Sequence, residues 1–192
     1  WSQGPDARAR ATPAPASAPA STTPLPSPTP SEAVSEAAIQ ANNRGVALFD
    51  AGRIEEAIRA FAEATRLAPA YADAHLNRGL ARAKLRDVAG AIEDFDRAMR
   101  LRPDWDLPYA NRGATLGVLG DHLSASADFE RATQLAPDVP RHWLRLGGAK
   151  GNLGDHAGAM ACFERALELE PDAPWAERYR RKVARIRQLQ QR

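Results

Sequence analysis

A chain of 192 residues has room for one domain and a tail, since domains commonly run to about 100–150 residues. Its 26 Lys and Arg stand against 24 Asp and Glu, and a net charge of +2 gives the molecule as a whole no reason to seek a polyanion. The single Cys162 excludes an internal disulfide and a cysteine-based metal cluster, and no run of about 18 apolar residues is present to span a membrane as a helix.

In chain order, residues 1–35 come first and are dominated by Pro, Ala, Ser and Thr ("ATPAPASAPASTTPLPSPTPSEA"). So few aliphatic side chains cannot bury enough surface to offset the entropy of ordering, and proline favours extended, polyproline-like segments. The segment is predicted to be a disordered Pro/Ala-rich tail that acts as a spacer. In bacteria such a linker often follows a cleaved signal peptide or a membrane anchor, so the expected location is periplasmic or exported, with a tether ahead of Trp1 as one form of it; cytoplasmic placement is the alternative.

Four units follow, at 38–71, 72–105, 106–139 and 140–173. The triplet Asn-Arg-Gly recurs at Asn43-Arg44-Gly45, Asn77-Arg78-Gly79 and Asn111-Arg112-Gly113, and the next step of 34 lands on Arg145-Leu146-Gly147. Four more registers keep the same step: Ala57, Ala91, Ala125 and Ala159; Phe61, Phe95, Phe129 and Phe163; Ala64, Ala98, Ala132 and Ala166; Pro69, Pro103, Pro137 and Pro171. A fixed period of this length marks an all-α solenoid of helix-turn-helix repeats, each contacting only its neighbours. Within a unit, the glycine sits mid-helix, where it costs about 1 kcal/mol against alanine and needs a packing reason; close approach of the two helices, with Ala91 as the facing small residue, supplies one. The turns read Ala51-Gly52-Arg53, Leu85-Arg86-Asp87, Leu119-Gly120-Asp121 and Leu153-Gly154-Asp155, in which glycine suits a left-handed C-cap and aspartate an N-cap. Unit two lacks the glycine, so its turn should be strained.

The last segment, 174–192, places Trp175, Tyr179, Val183, Ile186 and Leu189 on one helical face and is predicted to be a capping helix. Its other face is a basic surface of Arg178, Arg180, Arg181, Lys182, Arg185 and Arg187; with Arg192 and one opposing acid, Glu177, the segment carries +6. The four units hold 17 basic residues against 20 acidic ones. The uneven charge suits a solvated helix end, an acidic partner, a membrane-associated complex or anionic lipid; nucleic acid is disfavoured because no aromatic or glycine residues interleave the arginines.

The small, Gly, Ala, Phe, Ala and Pro positions over 34 residues, from about Ala38 to Ala173, resemble the tetratricopeptide repeat. The resemblance implies that the first helix of each unit lines a concave groove and that the chain binds protein. Members that grip extended peptides place asparagine where Asn43, Asn77 and Asn111 stand, and an amide that donates and accepts can hold a peptide backbone without selecting its side chains. The carboxylate clamp found in some members has five positions. Asn111, Arg141 and Arg145 match three of them, while Leu76 and Leu80 replace a lysine and an asparagine, leaving Arg141 and Arg145 as contacts for an acidic peptide.

Catalysis is not expected, and neither is a metal or a cofactor. His122 and His156 stand one period apart, each after an aspartate, yet stacked units lie about 10 Å apart, too far for two imidazoles to share an ion. Cys162 precedes Phe163 on a packing face and reads as a small buried hydrophobe. The expected function is a non-catalytic adaptor or scaffold whose groove of Asn43, Asn77, Asn111, Arg141 and Arg145 holds an extended peptide or partner protein. The alternative is a structural subunit or assembly factor that docks on a larger, membrane-bound complex through its outer face and basic end helix.

Overall fold

The computed structural model describes residues 34–190. The predicted tail at 1–35 therefore lies, except for its last two residues, outside the described residues, as does Arg192 at the other end. Among the described residues there are nine helices and no strand: α1 (Glu36–Asp50), α2 (Ile54–Leu67), α3 (Ala72–Lys84), α4 (Val88–Leu101), α5 (Asp106–Val118), α6 (His122–Leu135), α7 (Pro140–Asn152), α8 (His156–Leu169) and α9 (Ala176–Gln190). None of them is long and apolar enough to cross a membrane.

The periodic residues make the four helix pairs. Each repeat glycine lies under the phenylalanine of its own second helix: a Cβ at Gly79 would come within 2.7 Å of Phe95 Cε1, and one at Gly147 within 2.5 Å of Phe163 Cε1. The glycine is therefore required by the ring of Phe95, a partner different from the Ala91 expected from small-residue matching. The alanines at 57, 91, 125 and 159 and those at 64, 98, 132 and 166 are all buried, and no larger side chain would leave the pairs at their spacing.

The turns obey their backbone demands. Gly52, Gly120 and Gly154 take φ of 77°, 84° and 82°, and in repeat two Arg86 occupies the same left-handed position at φ 64°. That is the expected strain, since a Cβ in this region crowds the following carbonyl and costs about 1 kcal/mol or more. Asp87, Asp121 and Asp155 then cap α4, α6 and α8, each carboxylate accepting from a backbone N–H three residues on.

A second device joins one repeat to the next. His75, Tyr109 and Trp143 share the aromatic slot, and each donates to the carbonyl of the proline six residues earlier: His75 Nε2 to Pro69 O (3.1 Å), Tyr109 Oη to Pro103 O (3.3 Å), Trp143 Nε1 to Pro137 O (2.8 Å). At the fourth junction Arg180 Nη2 reaches Pro171 O at 2.6 Å. The proline carbonyl at each junction is thus satisfied, by the slot side chain at the first three and, where the slot holds Glu177, by Arg180.

Curvature follows from which helices touch. The odd-numbered helices α1, α3, α5 and α7 touch one another in sequence, whereas among the described residues each even helix touches only its flanking odd helices or, at the end, α9. The odd helices therefore form the inner, concave side. At the C-terminal end α9 lays Tyr179, Val183 and Ile186 on Phe163 of α8, with the Phe163 and Tyr179 rings 5.0 Å apart and Trp175 edge-on to Tyr179. Leu189, expected on this face, is instead 59% exposed.

Candidate functional site

On the concave face, successive first helices are joined by side chains at one repeated register. Asn77 Nδ2 on α3 donates to Asn42 Oδ1 on α1 at 3.0 Å, and Arg145 Nη1 on α7 donates to Ala110 O on α5 at 3.0 Å. Both bonds span 35 residues, so they are successive uses of one position. The rung between them is missing: Asn111 would face Leu76, which offers no side-chain acceptor, and its amide turns back to Leu107 O at 2.9 Å within its own helix. Asn43, on the first repeat, is exposed. The structure thus places Asn43, Asn77, Asn111 and Arg145 along the inner face, with Asn77 and Asn111 each using one amide N–H internally and keeping the carbonyl oxygen available.

The arginine of the triplet has a different task, and sequence reasoning did not assign it one. Arg78 grips Asp94 on α4 with Nε and Nη2 at 2.9 and 2.6 Å, and Arg82 Nη1 reaches the same carboxylate at 2.8 Å. In repeat three Arg112 does the same to Asp128 at 2.9 and 2.6 Å and adds Asp96 at 2.5 Å. Burial pushes the Asp94 carboxyl up, but hydrogen bonds from His75 and Arg78 and the charges of Arg78 and Arg82 outweigh it and hold the group below its ordinary range. The hydrogen bond to Asp128, set against burial, raises the Arg112 guanidinium above its usual value. Two Arg–Asp pairs 16 residues apart were visible in the sequence as the signal for this network. Arg44, whose equivalent partner position is Ala60, turns to Glu63 instead.

Repeat four presents the site's free cations. Arg145 is half-buried and makes no ion pair among the described residues; burial first, and then the charge of Arg141 one turn away, lower its pKa. Arg141 is exposed. Below Arg145 opens a cleft of about 250 Å³ between α5 and α7, lined by Ala114, Gly117, Val118, Phe129, Gly148 and Ala149 and also by Asn152, whose Nδ2 donates to His122 Nδ1 at 3.4 Å. Such an arrangement can hold an anionic group at the guanidinium and apolar matter beneath it.

The basic residues of α9 are exposed but partly engaged. Arg187 pairs with Glu164 at 2.7 Å, Arg181 stands 3.6 Å from Glu177, Lys182 lies over the Tyr179 ring and Arg178 near its edge, and Arg180 holds Pro171 O. Arg185 is exposed on the outer side. Among the described residues no three His, Cys, Asp or Glu side chains are grouped where they could hold a metal ion, and Asp121 and Asp155 are spent as helix caps.

A curved stack of antiparallel helix pairs, with a groove lined by its first helices, is an α-solenoid of the kind that binds other proteins. Two family models, each described as Tetratricopeptide repeat, match residues 42–104 and 141–173, half of the chain between them, and the chain belongs to the tetratricopeptide repeat family. No curated protein matches it significantly. Among solved structures, PilF of Pseudomonas aeruginosa is 22% identical with a TM-score of 0.71, covering 81% of this chain and 70% of that one. MamA of Desulfovibrio magneticus RS-1 is 21% identical with a TM-score of 0.68, covering 83% and 98%. The first repeat domain of Spaghetti (RPAP3), solved with the HSP90 peptide SRMEEVD, is 26% identical with a TM-score of 0.61, covering 62% and 95%. PilF and MamA share the fold with this chain.

Proposed function

We propose that this protein is a non-catalytic adaptor that holds an extended, acidic segment of a partner protein along its concave face. One observation carries the reading: Arg145 and Arg141 stand on the inner face of repeat four without a carboxylate partner among the described residues, whereas the triplet arginines of repeats two and three, Arg78 and Arg112, are each matched to an aspartate. A half-buried cation left unmatched in the free protein is stabilised when a ligand brings the missing charge. The asparagines at 43, 77 and 111 would hold the backbone of the same segment. The similarity to RPAP3, whose bound peptide contains two consecutive glutamates, supports the class of ligand, while Leu76 and Leu80 argue against the complete carboxylate clamp.

The test is affinity capture of the intact chain from its own cell extract beside two variants. The first carries Asn77→Ala, Asn111→Ala and Arg145→Ala; the second carries Arg178→Ala, Arg181→Ala and Arg185→Ala. Partners lost from the first and kept by the second support groove binding. The reverse pattern overturns it and favours the second reading, a structural subunit or assembly factor docking through α9. That reading draws on the exposed basic side of α9; the apolar side is already used against α8, so attachment to a complex or an anionic membrane would be electrostatic and lost with added salt. Export to the periplasm, which belongs with either reading, is tested by fractionating cells that make the full-length protein.

A further inference from the structure

The first helices of the repeats carry two kinds of glycine. Those at 45, 79, 113 and 147 are under phenylalanine rings, and any side chain there would collide. Gly117, Gly148 and Gly151 are helical too, but a Cβ at Gly148 would meet nothing within 4 Å, and one at Gly117 or Gly151 only an alanine methyl at 3.9 or 3.8 Å. Helix formation disfavours glycine against alanine at each of these positions, and packing asks for none of them.

They are not scattered. Along the inner face, one repeated position reads Val46, Leu80, Ala114, Gly148 and another reads Phe49, Ala83, Gly117, Gly151. In repeats one and two these positions are filled, with Phe49 and Leu80 packed on the core. At Ala114, Gly117 and Gly148 the face is hollowed out, and the result is the cleft beneath Arg145, walled by Ala114, Val118 and Ala149 and floored by the Phe129 ring. Val118, which lines the cleft, is 70% exposed, and Leu119 and Leu123, close to it in the chain, are 57% and 73% exposed. An apolar recess with an exposed apolar side chain on its lining marks a binding site.

We infer that the cleft between α5 and α7 is an anchor pocket for one bulky aliphatic side chain of a partner's acidic segment, with the adjacent carboxylate on Arg145. The inference rests on the groove reading above and adds the second determinant that charge alone does not give. Charge complementarity fixes the occupant: the recess opens directly under an unmatched arginine with Arg141 beside it, so the segment that fills it is anionic next to its apolar residue. The volume, about eight times the roughly 30 Å³ share of a water molecule, fits a leucine-sized group.

The probes are two capped peptides of Ala and Ser with a pair of glutamates, one with a leucine beside the glutamates and one with alanine there, titrated by fluorescence anisotropy. The proteins are the intact chain, Gly148→Leu, which fills the cleft from a position with free space, and Arg145→Gln. The expected result is that the leucine peptide binds the intact chain about tenfold tighter than the alanine peptide, and that Gly148→Leu abolishes this difference while melting no lower than the intact chain. Equal binding of both peptides, lost in Arg145→Gln and indifferent to Gly148→Leu, overturns the anchor pocket and leaves the acidic groove standing. Binding indifferent to both variants, or no binding at millimolar peptide, overturns both. A lowered melting temperature of Gly148→Leu shows that the fold needs that glycine and likewise overturns the anchor.

Discussion

In repeat three Arg112 on α5 holds Asp128 on α6; in repeat four the same two positions, again 16 residues apart, are Leu146 and Cys162, both buried in one apolar cluster. The backbone between them is the same helix pair over the same phenylalanine. The comparison teaches that the buried site between the two helices takes a matched ion pair or a matched apolar pair; in repeat one, where Ala60 stands opposite Arg44, the arginine instead stays exposed and pairs with Glu63. An ion pair is stabilising there only as long as both charges are present, because desolvating each charge is expensive and the attraction offsets it only in good geometry. Repeat four, with Leu146 and Cys162 in place of the pair, still carries Arg141 and Arg145 on its inner face, and no carboxylate among the described residues opposes either.

Breaking the match should have the largest effect. Asp128→Cys alone, leaving Arg112 half-buried without its main partner, is expected to lose about 3 kcal/mol in denaturant unfolding. Arg112→Leu together with Asp128→Cys, which transplants the pair of repeat four into repeat three, should return to within about 1 kcal/mol of the parent. A double variant no better than the single one would sink the equivalence of the two solutions.

The glycines sharpen the same contrast between repeats. Gly79→Ala pushes a methyl into Phe95 and should lose about 2 kcal/mol, whereas Gly148→Ala meets open space and should gain about 1 kcal/mol, both read by the same unfolding curves. Matching losses would mean that the two groups of glycines are not different in kind. A gain of somewhat under about 1 kcal/mol is expected from Arg86→Gly, which gives repeat two the left-handed turn residue its neighbours have. The finest effect concerns pH. The Asp94 carboxyl is held below its ordinary range, so the stability it contributes is present above about pH 4 and is lost as the pH falls through its folded value. The stability gap between the intact chain and Asp94→Asn should therefore be widest near neutrality and narrow in acid; a gap that stays constant with pH would detach the network from that titration.

The sequence was most legible where a residue's role is dictated by its own repeat. The 34-residue step, the aspartate caps and the strained turn at Arg86 all follow from local geometry that each unit must satisfy alone, whereas the partner each repeat glycine makes room for, Phe95 and not Ala91 in repeat two, appears only in the packed pair. The asparagines and Arg145 could be placed on one face for the same reason. The missing rung at Asn111 was less legible, because whether an amide reaches across depends on the residue 35 positions earlier. Leu189 was assigned to the packed face of the last helix by periodicity alone, which carries no information on which turns of that face find a partner.

By itself the sequence determined an array of four helix pairs with a capping helix, since only one fold reconciles a strict 34-residue period with small residues mid-helix and a proline at each unit's end. It also determined which residues share the inner face. Only the tertiary structure decided that the triplet arginines of repeats two and three are spent on buried aspartates, that Arg145 is not, and that Gly117 and Gly148 leave a cleft beneath it. Those outcomes depend on distances between helices from different repeats, and such distances are set by the packing of whole side chains against one another, which no single stretch of the chain specifies.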